Sequence, residues 1–456
     1  MLGLDQNEKS IGIKKEILIV LASETFTKRF RDFERAGEYN FHHLDITGVP
    51  LEFQHLTGDD SDFKFDIVRY IENAIEYVRN NEIDAVLGVE DIGDFVASII
   101  REKTGLPGPG IETSFICLHK YYTRKYVGND SNLWYIAVDL DSDDWKTQMQ
   151  YPSYIKPPFL HSGHGQMKVN NELEMKEAVE KCRKFVVPWA AFYNAMFEKY
   201  LDISKFPLCV KNLVVAEHYV EKSDMMVSEG WVDGQGKYHV WQHADGLSYT
   251  KPFRSPFATS TPSHQPEVVL QKVEEYLTNV CKKLDLRSVF FNADLWIDHD
   301  QDYQNISVDI IEMNNRLSKG LHDVYKGLWE VSSFEAAMIV ACGEEDVLPL
   351  SSRIKEHGYG GVIRVRTFAS GPSTDILNFE EVHKFLDPSE GIKTEILRPG
   401  IDLSLREDEI FEQIDSNAGT LVGIFFVFQP TLSELKKRGD EVLQKILKKS
   451  CDHFNF

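Results

Sequence analysis

The first informative feature of the chain is a continuous apolar run, Glu16-Ile-Leu-Ile-Val-Leu-Ala-Ser23, closed by small polar residues. Such a run, with no polar alternation, predicts a strand buried on both faces of a parallel sheet. A charge-rich helical stretch is expected over 24–35, with Gly37 as its stop and a short strand over 41–44. Apolar residues then recur with a helical period over 66–80, so an amphipathic helix is predicted there. Residues 84–89 read as a strand, followed by a helix through Ile100 and the turn Gly105-Leu-Pro-Gly-Pro109. Strands and helices that alternate with short Gly/Pro breaks build an open α/β unit.

From about Thr113 the pattern changes. Strands are expected over 134–138 and 154–156, a further strand pair flanks Glu217, and a helix is expected over 267–284. Two strand-like runs, 289–297 and 306–313, are separated by the polar turn 298–304 and predict a hairpin. The last part carries strands over 361–366 and 421–428 and an amphipathic helix over 432–448. No repeat of about 20 to 50 residues interrupts this order.

Composition narrows the class. A chain of 456 residues is long enough for about three domains. The charge balance, 50 − 72 = −22, argues against nucleic acid or an anionic membrane surface as the main partner. With 42% hydrophobic and 12% aromatic residues, the sequence has the apolar material that disordered acidic chains lack. The six cysteines form no CxxC pair, which points to a reducing compartment and away from a cysteine metal site. Asp5 and Glu8 stand where a signal peptide needs a basic start and an apolar run, and the longest uncharged apolar stretch is 421–428. A soluble, cytoplasmic protein is the expectation.

The candidate chemistry centres on acids placed within apolar strands. Asp294 lies in Phe290-Phe-Asn-Ala-Asp-Leu-Trp-Ile297, and Glu312 and Asn314 lie in Val308-Asp-Ile-Ile-Glu-Met-Asn-Asn-Arg316. Residues two apart on a strand share a face, so Glu312 and Asn314 project together, and hairpin pairing would bring Asp294 beside them. Three such oxygen ligands suit magnesium, which takes hard donors and fills its shell with water and phosphate oxygens. Ser162-Gly163-His164-Gly165 follows a strand ending in Lys156, and its glycines would let backbone N–H groups converge on phosphates. It is no Walker loop, because the lysine precedes the glycines, and an ordinary surface turn is the competing reading. His161 and His164 have no third metal ligand nearby in sequence and read as solvated loop residues. Spacing alone does not lift Lys120 or Lys156 above other lysines.

Taken in order, Gly105-Leu-Pro-Gly-Pro109, Lys120 with Arg124, Tyr151-Pro-Ser-Tyr-Ile-Lys-Pro157 with its glycine loop, Ala216-Glu-His-Tyr-Val220, Asp294 and Ile311-Glu-Met-Asn-Asn-Arg316 resemble the ATP-grasp superfamily. The resemblance is greatest to carboxylate-amine ligases, including the L-amino-acid ligases, with biotin carboxylase more distant. It implies an α/β fold in three parts: an N-terminal open α/β domain (1–112), a linker and α+β lid (113–216), and a C-terminal catalytic domain (217–456) whose closing subdomain spans about 343–456.

The resemblance also implies roles. Lys120 and Lys156 would bind phosphates, and Ser162, Gly163 and Gly165 would belong to the mobile phosphate loop. Glu217, His218, Tyr219 and Val220 would form the hinge that reads adenine, and Asp224 would reach the ribose. Asp294, Glu312 and Asn314 would hold magnesium (or manganese), with Asp294 shorter than the Glu of many relatives, and Arg316 would steady the acyl phosphate. Glu229-Gly-Trp-Val-Asp-Gly234 looks like the segment after the hinge in amino-acid ligases. The implied activity is ATP-dependent joining of a carboxylate to an amine, one of them an amino acid, with release of ADP and phosphate. The implied assembly is a homodimer, as in many relatives. A bicarbonate-activating carboxylase, a non-catalytic nucleotide-binding protein and a kinase remain as alternatives.

Overall fold

The computed structural model describes residues 14–22, 27, 29–31, 34–45, 65–128, 133–160, 165–221, 224–249, 255–318, 320–330, 332–348, 358–367, 369–386, 410–411 and 420–448. Its first sheet is small and parallel. Strand β1 (Lys15–Val20) pairs with β2 (Tyr39–His43) on one side and β3 (Ala85–Gly88) on the other. Ile17, Leu18, Ile19 and Val20 are all buried, as the unbroken apolar run predicts. Helix α1 (Ile67–Asn80) turns Ile67, Tyr70, Ile71, Ala74, Ile75 and Val78 inward, and the Asp66 side chain caps it by accepting from the Arg69 N–H at 2.9 Å. Half of the expected helix at 24–35 lies outside the described residues; the strand expected at 41–44 begins earlier, at Tyr39.

Helix α2 (Asp91–Thr104) starts directly after β3 and ends at Gly105, whose left-handed φ of 79° lets its N–H bond Arg101 O. The junction depends on Gly88. A Cβ there would lie 2.1 Å from the Gly93 carbonyl carbon, so only glycine lets the strand end and the first helical turn approach this closely. Helices α3 (Ile111–Leu118) and α4 (Lys120–Val127) follow the Gly/Pro turn.

The second sheet has four strands in the order β4 (Tyr135–Asp139), β7 (Leu213–His218), β5 (Ser153–Lys156), β6 (Met167–Val169), with antiparallel pairing throughout. Between β6 and β7 runs α5 (Glu172–Tyr200), a 29-residue helix with Pro188 inside it. Glu217 lies within β7 and does not separate two strands.

The third sheet is antiparallel with seven strands. Its order is β12 (Ile306–Asn314), β11 (Val289–His299), β8 (Asp224–Val232), β9 (Tyr238–Tyr249), β10 (Ser255–Thr261), β13 (Tyr359–Thr367) and β16 (Thr420–Gln429), with β14 (Gly371–Pro372) and β15 (Ile410–Phe411) pairing separately. The predicted hairpin is β11 and β12, and strands 361–366 and 421–428 fall within β13 and β16. Helix α6 (Glu267–Lys283) packs near β9 and β12, while α7 (His322–Trp329) covers β13 and β16 and α8 (Ser333–Ala341) lies against β3 and β11. One apolar cluster joins α8 to β1 and β3 through Phe334, Ala337, Ile19 and Leu87, so the small first sheet is cemented to the large one. Among the described residues no helix is long and apolar enough to cross a membrane.

Candidate active site

The hairpin register decides the site. Asp294 stands opposite Glu312 and Asn292 opposite Asn314, with a bulge just after Asp294. Since residues two apart share a face, Asp294, Glu312 and Asn314 gather on one side of the sheet, as the strand pattern predicts. Two facing carboxylates in a partly enclosed place repel each other. Burial, and then the Glu312 charge, push Asp294 up to about 7, against the pull of Arg364, Arg316 and Lys120.

Lys120 is brought to this pair by the start of α4. Its backbone N–H donates to Pro158 O at 2.8 Å, which ties the helix to the chain leaving β5. Its buried ammonium donates to Leu160 O at 2.7 Å and to Glu312 Oε1 at 3.1 Å. One cation therefore touches both the carboxylate hairpin and the segment that leads into the glycine loop. Ser162 and Gly163 lie outside the described residues. Gly165 has a positive φ of 65°, and its carbonyl accepts from Cys182 Sγ at 3.5 Å.

Lys156 sits elsewhere. It is buried at the end of β5, where its ammonium pairs with Glu217 Oε1 on the neighbouring strand. The second Glu217 oxygen accepts from Arg124 Nε at 3.2 Å and lies 3.0 Å from Nη2. Burial alone would raise the Glu217 pKa, but the Arg124 and Lys156 charges outweigh it and hold the carboxyl below its ordinary value. Burial lowers Lys156 in spite of Glu217. Arg124 also donates from Nη2 to Ile311 O at 2.8 Å, beside Glu312, while its Nη1 has no partner among the described residues. Arg124, Trp134, Tyr135, His218, Val220 and Trp296 line a pocket between the second and third sheets. Tyr219 points its ring at Lys168, whose ammonium lies 4.1 Å from the centroid. Asp224 stands apart at the start of β8, exposed, accepting from Gln265 Nε2 at 3.0 Å.

Arg316 is held by a residue the motif reading missed. Its Nε and Nη2 both lie 2.6 Å from Asp91 Oδ1, at the first turn of α2, and burial and the Asp91 and Glu90 charges act in opposite directions to leave its pKa raised. The signal available in sequence was an acid two residues past a predicted strand end, where a helix begins. The segment carrying Arg316 is braced again by Glu229, which accepts from Ser318 N at 2.7 Å and from the Tyr325 hydroxyl. Glu229 is fully buried, and burial pushes it up to about 7 against those two hydrogen bonds. Asn292 completes the bracing, since its Nδ2 donates to Arg316 O at 2.9 Å.

The structure thus gathers Lys120, Asp294, Glu312 and Asn314 in one group and Lys156, Arg124 and Glu217 in a second, with Arg316 set against Asp91. Among the described residues no three or more His, Cys, Asp or Glu side chains come together as a metal site, so any cation at the hairpin would rely on an amide and on ligand oxygens beside the two carboxylates.

No family model matches the sequence, and no curated protein matches it. Solved structures do match. An L-amino acid ligase from Bacillus licheniformis is similar over 96% of this chain and 100% of its own, with a TM-score of 0.70 and 17% identity. A carboxyaminoimidazole ribonucleotide synthase from Aspergillus clavatus covers 95% of this chain and 99% of its own, at a TM-score of 0.62 and 13% identity. A biotin carboxylase from Campylobacter jejuni covers 95% and 91%, at 0.55 and 15%. At these identities the likeness speaks for architecture, and it spans nearly the whole length of each chain. The three-sheet arrangement described above, with a carboxylate hairpin at one edge of its largest sheet, is the ATP-grasp fold.

Proposed function

We propose that this protein is an ATP-dependent ligase that activates a carboxylate as an acyl phosphate and joins it to an amine. The observation that carries this reading is the convergence of Lys120, the Asp294–Glu312 pair and Asn314 on one sheet face, with Arg316 on the loop that follows. The fold's likeness to an L-amino acid ligase, and to a synthase solved in complex with ATP, supports the same reading.

In this proposal ATP lies between the second and third sheets. The pocket beside His218 and Val220 takes the adenine, and Asp224 approaches the ribose. The four-stranded sheet acts as the lid, and closing it keeps water from the acyl phosphate. Asp294, Glu312 and Asn314 would hold magnesium, whose charge, when bound, neutralises the phosphate oxygens during transfer. The donor set fits that ion, because two carboxylates that face each other across the ladder, with Asp294 raised by burial and by the Glu312 charge, gain from a hard cation between them. Lys120 sits against Glu312 and can follow the terminal phosphates without leaving the hairpin. Lys156 exchanges Glu217 for a phosphate oxygen. Arg316 is fixed by Asp91 through Nε and Nη2, and its Nη1, which donates to Leu317 O at 3.1 Å, would turn to the acyl phosphate and to the oxyanion formed when the amine attacks. No nucleophilic side chain is needed, and Cys117, buried and raised well above an ordinary thiol, is a packing residue.

The test is a substrate panel. Purified protein with magnesium and ATP is offered pairs of amino acids and amines while ADP and phosphate are followed together. Amine-dependent release of both is the expected result. Phosphate release that requires bicarbonate would mark a carboxylase, and ADP without phosphate would mark a kinase. No amine-dependent phosphate with any pair would remove the ligase reading.

A further inference from the structure

Asn292 lies two residues before Asp294 and is buried between Phe291 and Ala293 in β11. An amide in that position costs free energy unless its donors and acceptor are satisfied. Both ends are. Asn292 Oδ1 accepts from Asn314 Nδ2 at 3.0 Å, and Asn292 Nδ2 donates to Arg316 O at 2.9 Å. On the other side its register partner is Glu229, whose carboxylate holds Ser318 N. The row Asn314, Asn292, Glu229 thus crosses three strands and grips both ends of the segment 314–318.

The direction of these bonds matters. An asparagine side chain binds a cation through its oxygen, and its two ends differ only in a half-turn about one bond. By taking a hydrogen bond from Asn314 Nδ2, Asn292 commits the nitrogen end of Asn314 to the protein and leaves Oδ1 as the atom offered to a ligand. The same Asn292 side chain fixes the Arg316 carbonyl, so one residue sets the pose of a proposed metal ligand and of the arginine proposed to meet the acyl phosphate.

We propose that Asn292 is a positioning residue that orients Asn314 for the divalent cation and couples that orientation to the Arg316 segment. This rests on the ligase reading above only in taking the hairpin as the cation site. An Asn292→Ala variant loses both bonds. Asn292→Asp keeps the acceptor for Asn314 but loses the donor to Arg316, so it separates the two roles.

The experiment measures Mn²⁺ binding by electron paramagnetic resonance in the presence of ADP, with thermal midpoint and metal-free ADP binding as checks on folding. Asn292→Ala is expected to weaken Mn²⁺ about 10- to 100-fold, the usual effect of removing an outer partner of a metal ligand, while ADP binding without metal is unchanged. Asn292→Asp is expected to hold Mn²⁺ within a few-fold of the parent yet lower kcat with little change in the KM for ATP. Wild-type Mn²⁺ affinity in a folded Asn292→Ala protein would overturn the proposal and leave the ligase reading standing. Failure of the parent itself to bind Mn²⁺ with ADP would overturn both, because the hairpin would then not be a cation site.

Discussion

The two lysines of the cleft stand in opposite electrostatic settings. Around Lys120 the acids prevail, with Glu312 in contact and Asp294 facing it across the ladder. Around Lys156 the cations prevail, since among the described residues one carboxylate, Glu217, answers both Lys156 and Arg124. A polyanion with a bound divalent cation suits such a cleft better than either partner alone, because its phosphates face the cation-rich half and its metal the acid-rich half. This local division would also let a chain with a net charge of −22 hold the proposed nucleotide: the surface acids are screened by salt over about 10 Å, whereas the enclosed charges are not.

The most damaging way to break this comparison is at the acid-rich end. Glu312→Gln removes the anion that Lys120 touches and one proposed metal ligand together. Turnover in the substrate panel should fall at least 1,000-fold, a loss on the scale of a catalytic electrostatic group, while circular dichroism and the thermal midpoint stay near the parent values. Activity within tenfold of the parent would show the metal site to be misplaced. Arg316→Ala should lose product formation about 100-fold or more while retaining ATP binding, because its contribution is made late in the reaction. Unchanged product formation would rule out its role.

The cation-rich half should respond in stability before activity. Glu217→Gln leaves the Lys156 and Arg124 charges buried without their shared anion, and breaking a buried pair in this way costs about 3 to 5 kcal/mol. Denaturant unfolding should record that loss, and saturating ATP should recover part of it, since phosphate replaces the missing charge. A loss below about 1 kcal/mol would mean the cluster is more solvated than its burial indicates.

The smallest expected effect is a pH dependence. Glu229 is raised from 4.5 to about 7, so the folded state binds its proton more tightly than the unfolded chain does. The stability it contributes is full below about pH 4.5 and declines as pH rises through 7. Glu229→Gln removes this decline, so the parent should lose on the order of 2 to 3 kcal/mol relative to the variant between pH 4.5 and pH 8. Parallel pH profiles for the two proteins would show that burial does not raise Glu229.

The hairpin was legible in the sequence because acids and amides at every second position of apolar strands leave few explanations besides a shared functional face. β1 was legible for the converse reason, its residues Ile17 to Val20 forming an unbroken apolar run. The partners of the cleft cations were not. Lys156 meets Glu217 across 61 residues of chain and Arg316 meets Asp91 across 225, and no local period encodes such pairings. The helix over 172–200 escaped notice because Pro188 and a mixed polarity interrupt its apolar stripe. Strands β9 and β10 escaped for another reason: His243, Asp245, Ser260 and Thr261 are buried although the residues are not apolar.

The contact between Asp91 and Arg316 also sets a timetable for the nascent chain. With about 5 to 20 residues added per second, Asp91 leaves the ribosome roughly 10 to 45 s before the arginine it will hold. Closing so long a loop costs on the order of 5 kcal/mol of chain entropy before any contact repays it. The first parallel sheet can form early, but the arginine clamp has to wait until Arg316 has emerged, and a chain truncated before it carries Asp91 without its partner.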